Sequence, residues 1–420
     1  MSGKSYYTLR KCILVFIMLV AGLFTACGRE EPEFEDNMAE SEEPETIAGH
    51  PEKNTAMDDS SNYNENGVDI MENENAATDT KEDAAREEEL KKRFGEDCII
   101  GQTFEVTLSE YNEKVWFVPF YPSEEEPEYF YIQIIQDGEV LSQNRVYAPE
   151  NLKGQAFSSL DAVSFFDANY DSNTDIILIA TYGTTSFVKI YYGFDSDAEE
   201  MERHFSGSYS LAEMVTEQIE ILSIPQIRNF LTEGKENGKF SGYEEAYEAI
   251  SRICELESGG EMQYNLIYFD DDDIPELAVG VSGYYTSLYT YHDGTLYKVM
   301  ERWPYGISGN AGYEFSPKKN SLRYLSNYGG GVIRYLTYGT IGEEYSMDTV
   351  ALIEEYNFDD VNKNGQLDED EMDSLGVYEV TYINGVEASD EECASYDLGD
   401  YEYIRLTMNR EELIKTLSEK

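Results

Sequence analysis

Positive charge is what this chain has least of. Its 420 residues carry 30 Lys plus Arg against 85 Asp plus Glu, a formal charge of −55 at pH 7. Nucleic acid and anionic surfaces are therefore poor partners, because phosphate contacts need a cationic face, and cations are favoured; no nucleic-acid partner is expected. Histidine is as scarce: His50, His204 and His292 stand alone, and no Cys-x-x-Cys pair exists, so spacing yields no zinc ligand set. Gly-x-Ser-x-Gly is absent, no His has a triad context, and neither "GYEFSP" nor "SGNAG" offers a strand-to-helix phosphate cradle. The sequence leans against an enzyme and assigns no catalytic residue.

Long apolar runs are also missing, with one exception. Lys4, Arg10 and Lys11 precede "CILVFIMLVAGLFTAC", which is short for a bilayer span and ends in small residues, the pattern of an export signal over residues 1–27. Its end, Phe24-Thr25-Ala26-Cys27-Gly28, resembles the lipobox of bacterial lipoproteins. That resemblance implies lipidation at Cys27 and an extracytoplasmic chain anchored to the cell membrane. Lipidation would use Cys27 and processing would discard Cys12. Cys98, Cys254 and Cys393 then remain, as one disulfide with a thiol or as three thiols.

Residues 28–97 are rich in Glu, Asp, Asn and Ser and nearly free of large apolar side chains. Such a segment cannot bury enough surface to offset chain entropy, and its like charges extend it, so it reads as a disordered acidic linker. Helix formers in "DTKEDAAREEELKKRF" (79–94) suggest a short helix closing it.

The remainder has the character of an α+β protein dominated by β-structure, in two domains. From 98 to 208, "KVWFVPFYP", "YFYIQIIQDGEVL", "DAVSFFD" and "DIILIATYG" alternate β-branched and aromatic runs with turn residues, and "QDGE" is a hairpin turn. From 209 to 420, helices come first. "SIPQIRNFLTEG" has Ser223 as N-cap, Pro225 in the first turn and Gly234 at the stop; in "SGYEEAYEAISRICELESGG", Ser241 and Glu244 have the spacing of a capping box. Strands return at "YNLIYFD", and "NREELIKTLSEK" closes the chain as a helix capped by Asn409.

Three acidic stretches carry the chemistry. "DDVNKNGQLDEDEM" fits a twelve-residue calcium loop begun at Asp360: side-chain oxygens from Asp360, Asn362, Asn364 and Asp368, Gly365 at the sharp turn, Gln366 giving its backbone carbonyl, and a terminal Glu371. Leu367 and Met372 supply the apolar flanks, and the stretch resembles the EF-hand loop. "TVALIEEYNFDD" before it fits a strand about as well as an entering helix, so the expectation is a lone structural loop followed by a short helix at 369–375. With only three charged ligands its affinity would lie at the weak end, roughly 10⁻⁴ to 10⁻³ M.

"FFDANYDSNTDIILIA" sets Asp167, Asn169, Asp171, Asn173 and Asp175 at alternate positions between apolar runs. It is similar to the hairpin calcium loops of FG-GAP and VCBS repeats, with Ser172 where glycine is usual. In "YFDDDDIPELAVG", Asp270, Asp272 and Glu276 fall at ligand positions 3, 5 and 9, and four adjacent carboxylates repel unless a cation or protons intervene. A plain solvated turn is the competing reading of both.

The wording of residues 224–420, including "DDDDIPELAVG" and "INGVEASDEE", resembles uncharacterised lipoproteins of Gram-positive anaerobes. The expectation is a lipid-anchored, calcium-binding surface protein whose Ca2+ is structural and which serves as a binding or adhesion module. Its partners would be calcium ions, the membrane through its lipid, and a glycan or envelope component. The alternative is a carbohydrate-active or solute-binding lipoprotein. Tyr284, Tyr285, Tyr289, Trp303, Tyr305 and Tyr313 would then be a sugar-stacking platform, although cross-strand packing explains them more simply.

Overall fold

The computed structural model describes residues 80–111, 113–193, 205–258, 262–307, 309–358 and 378–419. The expected helix is present as α1 (Thr80–Phe94), and it belongs to the folded part: Leu90 is buried and the Phe94 ring meets Trp116 at 5.3 Å.

Two antiparallel sheets follow. The first is the meander β1 (Phe104–Val106), β2 (Val115–Phe120), β3 (Tyr129–Gln136) and β4 (Glu139–Tyr147); the second is β5 (Phe157–Phe166), β6 (Asp175–Tyr182), β7 (Thr185–Tyr192) and β8 (Ser206–Gly207). The β3–β4 turn puts Asp137 at φ 50° and Gly138 at φ 87°, the left-handed pair that matches strand twist in a tight hairpin. Phe117, Phe130, Ile134 and Val146 of the first sheet share a core with Val163, Ile176, Leu178 and Phe187 of the second.

Strand β6 is buried on both faces. Ile176 and Leu178 point to the first sheet, while Ile177 and Ile179 point the other way, into a layer of three helices. This is why its sequence is a continuous apolar run rather than an alternating one. The helices are α2 (Tyr209–Gln218), α3 (Ile224–Thr232) and α4 (Tyr243–Ser258). Pro225 lies in the first turn of α3, as expected, but Glu233, at φ 50°, takes the left-handed C-cap one residue before Gly234. Ser241 is closed by Glu245 rather than Glu244, its N–H and Oγ reaching Oε2 at 2.9 and 2.7 Å.

Beyond the helices lies a third sheet, ordered β12-β11-β10-β9: β9 (Gln263–Ile267), β10 (Glu276–Val281), β11 (Tyr285–His292) and β12 (Thr295–Pro304). Leu277 and Val279 pack with Ile177, Ile250 and Ile253 in one core. That core crosses position 208, where the sequence suggested a boundary: α2 and α4 are too apolar on their inner faces to serve one sheet alone, so both sheets close on them. Glycine is required at 280, where a Cβ would meet the Tyr285 carbonyl oxygen at 2.1 Å.

The other face of the third sheet, through Ala278, Leu288 and Met300, packs on Tyr313, Phe315 and Leu322 of a seven-stranded sheet ordered β18-β17-β16-β15-β14-β13-β19. Its strands are β13 (Asn310–Ser316), β14 (Ser321–Tyr328), β15 (Ile333–Ile341), β16 (Met347–Tyr356), β17 (Tyr378–Ile383), β18 (Val386–Ala388) and β19 (Glu402–Tyr403). "TVALIEEY" is thus strand, not an entering helix. A four-residue α5 (Asp390–Cys393) precedes β19, and α6 (Arg410–Ser418) ends the chain, capped by Asn409 in a reciprocal box with Glu412. Strands dominate among the described residues, in antiparallel sheets. Cys98, Cys254 and Cys393 are buried free thiols in three separate cores.

Candidate cation site

The two described acidic stretches are built to one plan. Each links two antiparallel strands, β5 to β6 and β9 to β10. In the first, Asp175 Oδ2 accepts the Ala168 N–H at 2.7 Å; in the second, Glu276 Oε2 accepts the Phe269 N–H at 2.8 Å, in both cases across seven residues. Asn169 Oδ1 accepts the Asp171 N–H at 3.3 Å, as Asp270 Oδ1 accepts that of Asp272 at 3.1 Å. Asp171 Oδ1 accepts the Asn173 N–H at 2.9 Å, as Asp272 Oδ1 accepts that of Ile274 at 2.7 Å. Alternate acidic residues thus serve first as Asx-turn acceptors, each satisfying a backbone donor that the turn leaves without a ladder partner.

The loops differ in what balances their charge. In the first, Asp167 also takes the N–H groups of Asp171 and Ser172 at 3.1 and 3.0 Å, and Ser172 adopts φ 70°, the conformation glycine would reach without strain. Lys298, from β12, inserts its ammonium: Nζ lies 3.1 Å from Asp171 Oδ2 and 2.8 Å from Glu301 Oε1. Burial opposes the lysine's charge, but the two carboxylates outweigh it and raise its pKa. Burial, with the Asp171 charge beside it, pushes Asp167 up to about 7 and holds Asp175 well above the usual carboxylate range. Glu110, which sequence reasoning did not single out, is buried against the same loop and accepts the Thr174 N–H at 3.0 Å; burial pushes it up to about 7.

Among the described residues, the second loop has no such lysine against its inner carboxylates. Among the described residues, Lys318 reaches only the exposed Asp273, at 3.0 Å. Asp270 and Asp272 instead converge with His292, at the end of β11, so that one ligand atom of each lies within 4.8 Å of the others. All three are half-buried. Burial raises the pKa of Asp270 and the neighbouring Asp272 carboxylate adds to the rise, while the hydrogen bond from the Asp272 N–H and, less, His292 oppose it. Glu276, fully buried, is pushed up to about 8 by burial, with Asp270 and Asp272 adding to it.

Supports around the imidazole fix it. Its Nε2 lies 3.2 Å from Thr290 Oγ1, which also donates to Glu276 Oε1 at 3.2 Å, and its ring stacks on Tyr345 with centroids 4.2 Å apart. A chain from carboxylate through hydroxyl to ring is the kind of outer support that orients a metal-ligating histidine. His292 was invisible as a ligand in the sequence because the three histidines are isolated; only the β10–β11 pairing carries it to Asp270.

The aromatic platform does not assemble as one face. Tyr289 and Tyr313 are buried, Trp303 packs on Tyr313 and Tyr324, and Tyr284 alone of the six is exposed. The EF-hand-like positions Asp360, Asn362, Asn364, Gln366, Asp368 and Glu371, the helix expected at 369–375, the signal segment, Cys27 and most of the acidic linker lie outside the described residues. No described helix is long and apolar enough to cross a membrane. No protein-family model matches the chain, and no curated protein matches it.

Proposed function

We propose that this chain is a lipid-anchored, cation-binding protein of the cell surface, held through Cys27, in which divalent ions brace acidic turns between strands. The observation that carries the reading is the convergence of Asp270, Asp272 and His292 at a turn whose inner carboxylates meet no lysine or arginine among the described residues. A bound ion would relieve the mutual repulsion of Asp270 and Asp272 and draw the Glu276 carboxyl back toward its ordinary range. In the first loop the Lys298 ammonium takes that neutralising part.

The two ligand sets suit different ions. The all-oxygen set proposed at 360–371 suits calcium, while an imidazole beside two carboxylates also admits Mn2+ or Zn2+. Structural bracing, with the surrounding β-layers presented to a glycan or envelope partner, fits these sites better than catalysis. Titration calorimetry of the chelator-stripped full chain with Ca2+, Mg2+, Mn2+ and Zn2+ tests this. The expected result is uptake lost in part on Asp360→Ala and, separately, on Asp272→Asn or His292→Ala. No heat with any of the four ions at millimolar concentration sinks the proposal.

A further inference from the structure

In so acidic a chain, half-buried cations are expected to find carboxylates, and several do: Lys235 meets Glu245, Arg252 meets Glu233 and Arg323 meets Glu314. Lys189 has no carboxylate partner among the described residues. It lies on β7 between Phe187 and Tyr191, on the face that packs toward the first sheet, and burial lowers its pKa with no charge to compensate. Its Nζ sits 4.9 Å from the centre of the Tyr209 ring and 5.7 Å from that of Phe187.

Across from it, on β4, is a second unpaired group. The Asn144 Nδ2 donates to the Phe205 carbonyl at 2.7 Å, but its Oδ1 is buried and accepts nothing from the described residues. A buried acceptor left without a donor is destabilising, and a ligand that brings a hydroxyl or N–H to it would relieve that. Asn144 and Lys189 line one cavity of about 180 Å³ at the edge of the two-sheet sandwich, with Tyr147, Tyr191, Phe205 and Tyr209. Tyr191 is tied down, its hydroxyl donating to the Arg145 carbonyl at 3.3 Å, whereas Tyr147 and Tyr209 are 42% and 74% exposed. Arg145 also lines the cavity, its guanidinium over the Tyr129 ring at 5.0 Å.

We propose that this cavity binds an acidic sugar, a hexuronate either free or at the end of a polysaccharide. Its carboxylate meets the Lys189 ammonium, a ring hydroxyl donates to Asn144 Oδ1, and the C–H face of the ring lies against Tyr209. Each demand is separate. A neutral sugar leaves the lysine without an anion, and sulfate has neither a hydroxyl for Asn144 nor a face for the tyrosine. The cavity is below the ~300 Å³ of drug-sized pockets, which limits it to about one sugar unit. An aromatic ring, a cation without a carboxylate partner and an unpaired amide oxygen are the few placed groups by which such sites fix orientation. This inference is independent of the metal sites.

The test is titration of the full chain, by calorimetry or by shifts of tyrosine resonances, with D-glucuronate, a galacturonic acid tetramer, D-glucose and sulfate. Glucuronate is expected to bind with a dissociation constant on the order of 1 mM, with glucose and sulfate at least about tenfold weaker. Lys189→Met should weaken glucuronate by about tenfold or more, in line with loss of a charged hydrogen bond. The largely exposed Tyr209→Ala should weaken it several-fold without affecting folding, and serves if Lys189→Met does not fold. A tetramer that binds more tightly identifies a polymer end as the natural form; one equal to or weaker than glucuronate identifies the free sugar. The proposal is overturned if neither uronate binds below about 50 mM, if sulfate binds as well as glucuronate, or if Tyr209→Ala and Lys189→Met both bind like the parent chain.

Discussion

Lys298 and Asp171 form an ion pair at 3.1 Å, with side chains only 13% and 6% exposed, between the third sheet and the acidic loop of the second. An ammonium from one strand layer thus fills, in a neighbouring layer, the neutralising role that acidic turns commonly give to a metal.

Breaking that pair from the lysine side leaves a buried carboxylate without its counter-charge. Lys298→Met should lower unfolding free energy by about 3 kcal/mol, the range for orphaning one partner of a buried pair. The double change Lys298→Met with Asp171→Asn should regain a good part of the loss. Urea melts of the two variants against the parent chain give the comparison; equal losses in single and double variants would show that the pair contributes nothing through charge.

Glu110 gives a pH signature. Its folded-state pKa is raised to about 7, whereas an unfolded glutamate titrates near its ordinary value of about 4.3. The native state therefore binds more protons between those limits, so this group's contribution is full below about 4.3 and is lost as pH rises through about 7. Glu110→Gln should flatten the fall in stability over that window by up to about 1 kcal/mol per pH unit. Melting temperature measured from pH 4 to pH 8 in both chains reads the difference.

Much of this was legible in the sequence, and the gaps have physical reasons. "DIILIATYG" and "YFYIQIIQDGEVL" announced strands because their residue types fit only a buried pleated surface, and Asn409 announced its helix by a cap that sits next to it in the chain. The alternate acidic positions at 167–175 and 270–276 were legible as loops for the same local reason. His292 and Lys298 were not, since each acts on a loop far away in sequence and reaches it only through strand pairing. The core that spans position 208 was not legible, because the sequence shows that α2 and α4 are amphipathic but not that two sheets share their apolar faces. Ser223, read as a capping side chain, makes no side-chain cap bond in the structure, its backbone carbonyl alone continuing into the helix through the Ile227 N–H at 2.9 Å.

The Asn409 cap offers a clean local test. Asn409 Oδ1 accepts the Glu412 N–H at 2.9 Å, and α6 buries Leu413 and Leu417 in the core that holds α4. Asn409→Ala should cost about 1 kcal/mol, and Asn409→Ser much less, because serine restores the acceptor. Chemical denaturation of the two variants decides it; an equal cost for both would mean that the cap is not what holds the helix end.

Glu276 distinguishes a hydrogen-bonding role from a charge role at the second loop. Its carboxyl is raised to about 8, so at pH 7 and without metal it is mostly protonated, holding the Phe269 N–H at 2.8 Å and the Thr290 hydroxyl at 3.2 Å. Glu276→Gln keeps an acceptor for Phe269 and an amide for the rotatable Thr290 hydroxyl, and should cost under about 1 kcal/mol. Glu276→Ala orphans the buried N–H and opens a void, and should cost about 3 kcal/mol. The two variants should also part in their response to metal. The glutamine chain keeps Asp270, Asp272 and His292 in place and should still be stabilised by Mn2+ or Zn2+, whereas the alanine chain loses the Thr290 contact that steadies His292 and should respond about tenfold less, the usual cost of removing an outer support. Thermal melts with each ion and with chelator separate the cases: if both variants lose the metal response completely, Glu276 is itself a ligand and the site is larger than the three residues proposed.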